Sequence, residues 1–118
     1  MHYMKLRNEP FLQIKSGQKD IELRLNDEKR QLIKIKDLIT FTNVESGECI
    51  VTECIGLHRA DSFCELFRRS GFIRRGGFEE GLTSKAAADR MKAFYPKEKE
   101  LMYGVVGIEI KVIQEEKK

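Results

Sequence analysis

Hydrophobic and polar positions along the chain change period several times, and each change marks an element. His2–Leu6 alternates and predicts a short strand. Asn8 is placed to cap a helix with Pro10 in its first turn, Phe11 and Ile14 on one face and Gly17 as the stop. Residues 19–25 alternate cleanly, with Ile21, Leu23 and Leu25 on one side and Asp20, Glu22 and Arg24 on the other. The all-polar stretch from Asn26 to Arg30 predicts a turn or one loose helical turn. Leu38–Thr42 predicts a strand with Ile39 and Phe41 inward, and residues 43–47 a hairpin connection in which Gly47 supplies the backbone angle. The strand expected over 48–57 is long, and its drifting alternation implies a bulge. Ser62 and Glu65 have capping-box spacing, with Phe63, Leu66 and Phe67 on one helical stripe. Gly71 to Gly81 reads as a glycine-rich loop. Thr83 or Ser84 opens another helix, with Ala87, Met91 and Phe94 as its buried stripe, ending before Pro96. Residues 104–113 predict a last strand with Val106, Ile108, Ile110 and Val112 inward and Glu109 and Lys111 outward.

Five to six amphipathic strands interleaved with short helices predict an α+β fold, a small, partly closed mixed β-barrel with helices inserted between strands. The strands lack the fully apolar runs of a doubly wound parallel sheet. A length of 118 residues suits a single domain spanning the chain, with a core that needs no metal or disulfide. Order is expected to end in the polar run from Gln114 to Lys118. Charged residues at 35% imply a heavily charged shell, and a net charge of +3 does not by itself specify nucleic acid. Three cysteines with no C-x-x-C pair point to a reducing compartment and free thiols. No apolar run is long enough to span a membrane, so the expected location is cytoplasmic. No Walker loop, dinucleotide fingerprint or zinc-ligand spacing is present, so no cofactor and no metal are expected.

Three groups of residues could carry chemistry. Glu22 and Arg24 leave the same face of a strand, where they could present an acceptor and a fork of donors to a base edge or phosphate. As a plain surface ion pair they would be worth about 0–1 kcal/mol. Lys19, at the turn into this strand, is a further contact for a phosphate or carbonyl. In the stretch from Phe67 to Phe78, Arg68, Arg69, Arg74 and Arg75 alternate with phenylalanines and glycines, the ingredients of single-strand nucleic-acid contact. Arg68 and Arg69 are equally explained as the solvated end of a helix, whereas Arg74 and Arg75 are candidates for ligand contact. Glu79 and Glu80 precede the last predicted helix, where negative charge is favourable in any case. His58 has no serine or cysteine placed beside it in a recognisable motif.

Residues 16–24, Ser-Gly-Gln-Lys-Asp-Ile-Glu-Leu-Arg, carry the G-x-K-x-x-E-x-R pattern and resemble the ASCH family, whose fold is similar to PUA domains. Asp27 to Arg30 with Asp37, Asp61-Ser-Phe63, Tyr95-Pro-Lys97 and residues 103–110 resemble further family segments in the same order, so the resemblance spans nearly the whole chain. It is to small stand-alone prokaryotic members. One departure is Lys36, which stands where the family usually has glycine before Asp37. The resemblance implies a PUA-like barrel with a cleft, lined by the strand of Lys19, Glu22 and Arg24 and the cations Arg74 and Arg75, that binds RNA or a nucleotide-like ligand. A branch of the family removes the acetyl group from acetylcytidine with a lysine, a threonine three residues on and a glutamate before the last helix. That branch implies an amidohydrolase using Lys19, Glu22 and Glu80, but Glu22 occupies the threonine position and removes the hydroxyl nucleophile. A third reading is a protein-interaction domain with a protein partner. Oligomeric state is not legible in the sequence.

Overall fold

The computed structural model describes residues 1–116. Five strands, β1 (His2–Leu6), β2 (Ile21–Leu25), β3 (Leu38–Asn43), β4 (Cys49–Ala60) and β5 (Val105–Glu116), form one curved half-barrel sheet. Their order is β1-β3-β4-β5-β2; β1 runs parallel to β3 and the other neighbours are antiparallel. Six short helices fill the connections: α1 (Asn8–Ser16), α2 (Glu28–Gln31), α3 (Phe63–Phe67), α4 (Phe72–Arg75), α5 (Ser84–Met91) and α6 (Lys97–Tyr103). None is long and apolar enough to cross a membrane. A side-chain bridge joins the two sheet edges, β1 and β2: Arg24 Nη2 donates to the Lys5 carbonyl at 3.1 Å.

Two apolar clusters follow from the alternation. Met4 and Leu6 of β1, Ile39 and Phe41 of β3 and Val106, Ile108 and Ile110 of β5 meet Phe11 and Ile14 of α1 inside the sheet's curve. On the opposite face, Ile21, Leu23 and Val105 pack against Phe63, Leu66, Phe67, Phe72, Ala87 and Met91 of the helices. The start of β5 is therefore buried on both sides. Gly107 belongs to this crowding, since a Cβ there would lie 3.0 Å from Ile21 Cγ2 and 3.3 Å from Leu66 Cδ2.

Several elements differ from the sequence reading. Asn8 is the first residue of α1 rather than its cap, because Glu45 of the β3–β4 turn accepts from the Asn8 N–H at 3.0 Å and does the capping. The long strand extends to Ala60, with register shifts at Val51/Thr52 and Cys54/Gly56. The glycine-rich stretch contains the helical turn α4. Helix α5 ends at Met91, so Phe94 lies beyond it and is 55% exposed instead of buried. Helix α6 was not predicted, because it buries no residue and so carries no apolar stripe. The backbone of Gln114–Glu116 continues β5 opposite Cys49, Ile50 and Val51, where order was expected to have ended; the last two lysines lie outside the described residues. Lys36 has φ +81°, the left-handed conformation that glycine adopts freely and a lysine does not.

Candidate functional site

Strand β2 places Glu22 opposite Ile108 and Arg24 opposite Val106, so both side chains leave the sheet beside the β1–β2 seam. There they meet Lys19, which the C-cap glycine of α1 turns inward: Gly17 has φ +86°, and the Lys19 N–H donates to the Gln13 carbonyl at 3.0 Å. Lys19 Nζ lies 3.1 Å from Glu22 Oε1, and Arg24 Nε donates to Glu22 Oε2 at 2.6 Å. Glu22 is only 3% exposed and Lys19 9%, which makes this a buried ionic trio and not a surface pair. Burial pushes the Glu22 carboxyl up, but the charges of Lys19 and Arg24 and their hydrogen bonds outweigh it and hold it below the ordinary carboxylate range. Burial likewise works against the Arg24 guanidinium, and Glu22 more than restores it.

The trio forms the floor of a cleft of about 500 Å³. One wall is the end of β1 and the start of α1, with Lys5, Arg7, Pro10 and Gln13. The other is the segment Gly76–Glu79 with Arg90 and Met91 from the end of α5 and Phe94 and Tyr95 just beyond it. Glycine is required at position 77, where φ is +97° and a Cβ would lie 2.6 Å from Gln13 Oε1 and 3.2 Å from Lys19 Cδ. Gln13 Nε2 donates to the Gly77 carbonyl at 3.1 Å and ties the walls together. Burial pushes the Tyr95 phenol up, so its hydroxyl keeps its proton. At the mouth, the Arg7 guanidinium sits 5.4 Å from the centre of the Phe94 ring. Arg90 lies 6.0 Å from the Phe78 ring centre and pairs with both Glu79 oxygens at 2.7 and 3.0 Å. The cleft thus combines an ionised acceptor, rigid donors, three aromatic rings and a cationic rim.

Of the residues marked from sequence, Lys19, Glu22 and Arg24 come together in this cleft. Arg75 does not line it: its guanidinium donates to both Asp20 oxygens at 2.9 and 3.1 Å and lies 3.0 Å from Glu109 Oε2. Glu109 Oε1 is in turn 2.9 Å from His58 Nε2, so Arg75 and His58 belong to one hydrogen-bonded chain that fastens α4 to β4 and β5. Asp20, expected beside Glu22, is drawn to that chain instead. Arg74 is exposed outside the cleft, because adjacent residues on the helical turn α4 point in different directions. Glu80 is also exposed and outside it; Glu79 lines the cleft, one position earlier. Phe78, the end of the basic and aromatic stretch marked from sequence, does line the cleft, whereas Lys5, Arg7, Arg90, Phe94 and Tyr95 carried no such mark. For Lys5 a signal existed: a cation on an outward position of a strand whose inward positions Met4 and Leu6 are apolar.

The family model for the ASCH domain matches residues 4–114. Among solved structures, the crystal structure of hypothetical protein PH0355 is 34% identical, with a TM-score of 0.81, covering 96% of this chain and 100% of that one. The solution structure of protein PF0455 from Pyrococcus furiosus is 32% identical, with a TM-score of 0.72, covering 96% and 97% of the two chains. An ASCH protein from Zymomonas mobilis shares the fold at 14% identity and a TM-score of 0.67, over 98% of this chain and 71% of its own. No curated protein matches the chain at a significant level.

Proposed function

Because this chain belongs to the ASCH domain family, with the PUA-like half-barrel as its scaffold, we propose that its cleft binds a nucleobase of RNA or of a nucleotide-like ligand. The observation that carries the reading is the ionised Glu22 held between Lys19 and Arg24 on the floor of an aromatic-lined cleft. Glu22 accepts from an N–H on a base edge, the rings of Phe78 and Tyr95 offer apolar faces, and Lys5, Arg7 and Arg90 meet phosphate. The trio is held in place before any ligand arrives, so little ordering opposes binding.

Titration with nucleoside monophosphates and short RNAs at low and raised salt tests this. Affinity should fall with salt as phosphate contacts release counterions, and Phe78→Ala should weaken it. Absence of binding to every probe at low salt would overturn it.

The hydrolytic reading has less support. A carboxylate held below its ordinary range is a weak general base, and Glu80 does not face the cleft. Release of cytidine from acetylcytidine, abolished in Lys19→Ala, would nevertheless establish it. A protein partner is the reading that would remain if neither nucleotide nor acylated nucleoside is recognised, and a pulldown with nuclease treatment addresses it.

A further inference from the structure

Strand β1 leads away from the cleft, and its outward face has no intramolecular role. Met4 and Leu6 face the core, so Tyr3 and Lys5 share the opposite face of β1, and Arg7 follows as the extended residue that leads into α1. Lys5 and Arg7 line the cleft. Tyr3 is one step further along the strand and 66% exposed. Among the described residues, the side chains of Tyr3 and Lys5 have no hydrogen-bond, ion-pair or ring partner. Arg7 has only the Phe94 ring, and Phe94 is itself 55% exposed at the cleft mouth. On β3 the positions paired with Tyr3 and Lys5 are the uncharged Thr40 and Thr42, so no carboxylate stands directly across the ladder from Lys5. From Arg7 to Tyr3 the extended chain covers about 13 Å, a path and not a point.

We infer that the outward face of β1, Tyr3 with Lys5, together with Arg7 just past the strand and Phe94 at the cleft mouth, is a track for single-stranded nucleic acid leaving the cleft. The inference rests on the nucleobase reading of the cleft and narrows it: the ligand is an oligonucleotide and not a free nucleotide. Charge complementarity selects this occupant, because a polyanionic chain places phosphates against successive cations while unpaired bases stack on exposed rings. Helical RNA is excluded as the main ligand, because a cleft of this size takes a base only when the base is unpaired.

The test measures binding of mixed-sequence RNA oligomers of one, two, four and eight nucleotides to the intact chain by fluorescence anisotropy. Affinity should rise with length and then level off. Tyr3→Ala should weaken the octamer about 5- to 150-fold, the range for loss of one stacked base, and leave the mononucleotide unchanged. Tyr3→Phe should restore the octamer, since stacking needs the ring and not the hydroxyl. With Lys5→Gln the salt slope for the octamer should become shallower by about 0.7, the loss of one phosphate contact. Equal affinity for every length, or an octamer indifferent to Tyr3→Ala, overturns the track while leaving the cleft reading intact. Failure of both mononucleotide and octamer to bind at low salt overturns both. Because the Tyr3 side chain is mostly exposed and has no polar or ring partner among the described residues, its variants test binding without disturbing the core.

Discussion

Replacing Glu22 by glutamine removes one charge from a buried group of three and leaves Lys19 and Arg24 facing each other. The contacts at stake are the 3.1 Å approach of Lys19 Nζ and the 2.6 Å hydrogen bond from Arg24 Nε, both to a side chain 4% exposed. Breaking a buried pair by removing one partner destabilises by about 3–5 kcal/mol, because the remaining charge stays desolvated. Arg24 keeps its bond to the Lys5 carbonyl, so the lower figure, about 3 kcal/mol, is expected. For a chain of 118 residues, an unfolding entropy of about 2.1 cal/mol/K per residue converts that into a fall in Tm of about 12 °C. Thermal melts and urea titrations at neutral pH check it, with an unchanged urea slope showing that only stability has moved. The pH dependence gives a second reading. Glu22 has a folded-state pKa below its unfolded value of about 4.3, so the folded protein binds fewer protons in that range. Its contribution is fully present above that pH and is lost as the pH falls through the folded-state value. The gap between the two proteins should therefore narrow in acid, while Asp37, Glu79 and Glu109, also held below their ordinary range, affect both alike. A neutral-pH difference under about 1 kcal/mol, the worth of a surface pair, or a gap constant down to acid pH would refute the buried-trio argument.

Further outcomes follow from the geometry. Lys36→Gly should relieve left-handed strain of about 1–2 kcal/mol against an entropic loss of about 0.4–1, raising the urea midpoint slightly or leaving it unchanged; a marked fall would contradict the strain. Arg75→Gln should destabilise by about 1–3 kcal/mol, through loss of its hydrogen bonds to Asp20 and Glu109, without weakening RNA in a titration where Phe78→Ala does. Gly77→Ala should reduce ligand affinity, because its Cβ collides with Gln13 and presses on Lys19 where the cleft walls meet; calorimetric titration reads the loss. Glu79→Gln should tighten binding of a nucleoside monophosphate several-fold, since it removes an exposed carboxylate that shares Arg90 with the incoming phosphate.

The strands and their inward residues were legible because alternation reports burial directly, and the resemblance of residues 16–24 singled out Lys19, Glu22 and Arg24. Lys36 was visible as a departure before its positive φ gave the departure a physical meaning. The rest of the site was not legible, for a definite reason. The cleft is assembled from residues 5–24, 76–79 and 90–95, and no spacing within one segment reports which segments meet. Arg74 and Arg75 drew attention as basic residues among glycines, yet a helical turn delivers Arg75 to two carboxylates from distant positions. Phe94 continued the spacing of Ala87 and Met91, but the helix stops first, and what looked like a core ring became the lip of the cleft.

The bridge from Arg24 to Lys5 gives the seam a mechanical meaning. One guanidinium clasps the two free margins of the sheet and, with its Nε, steadies the carboxylate that a ligand would meet. The side chain that steadies the cleft floor is therefore also one that spans the seam of the half-barrel.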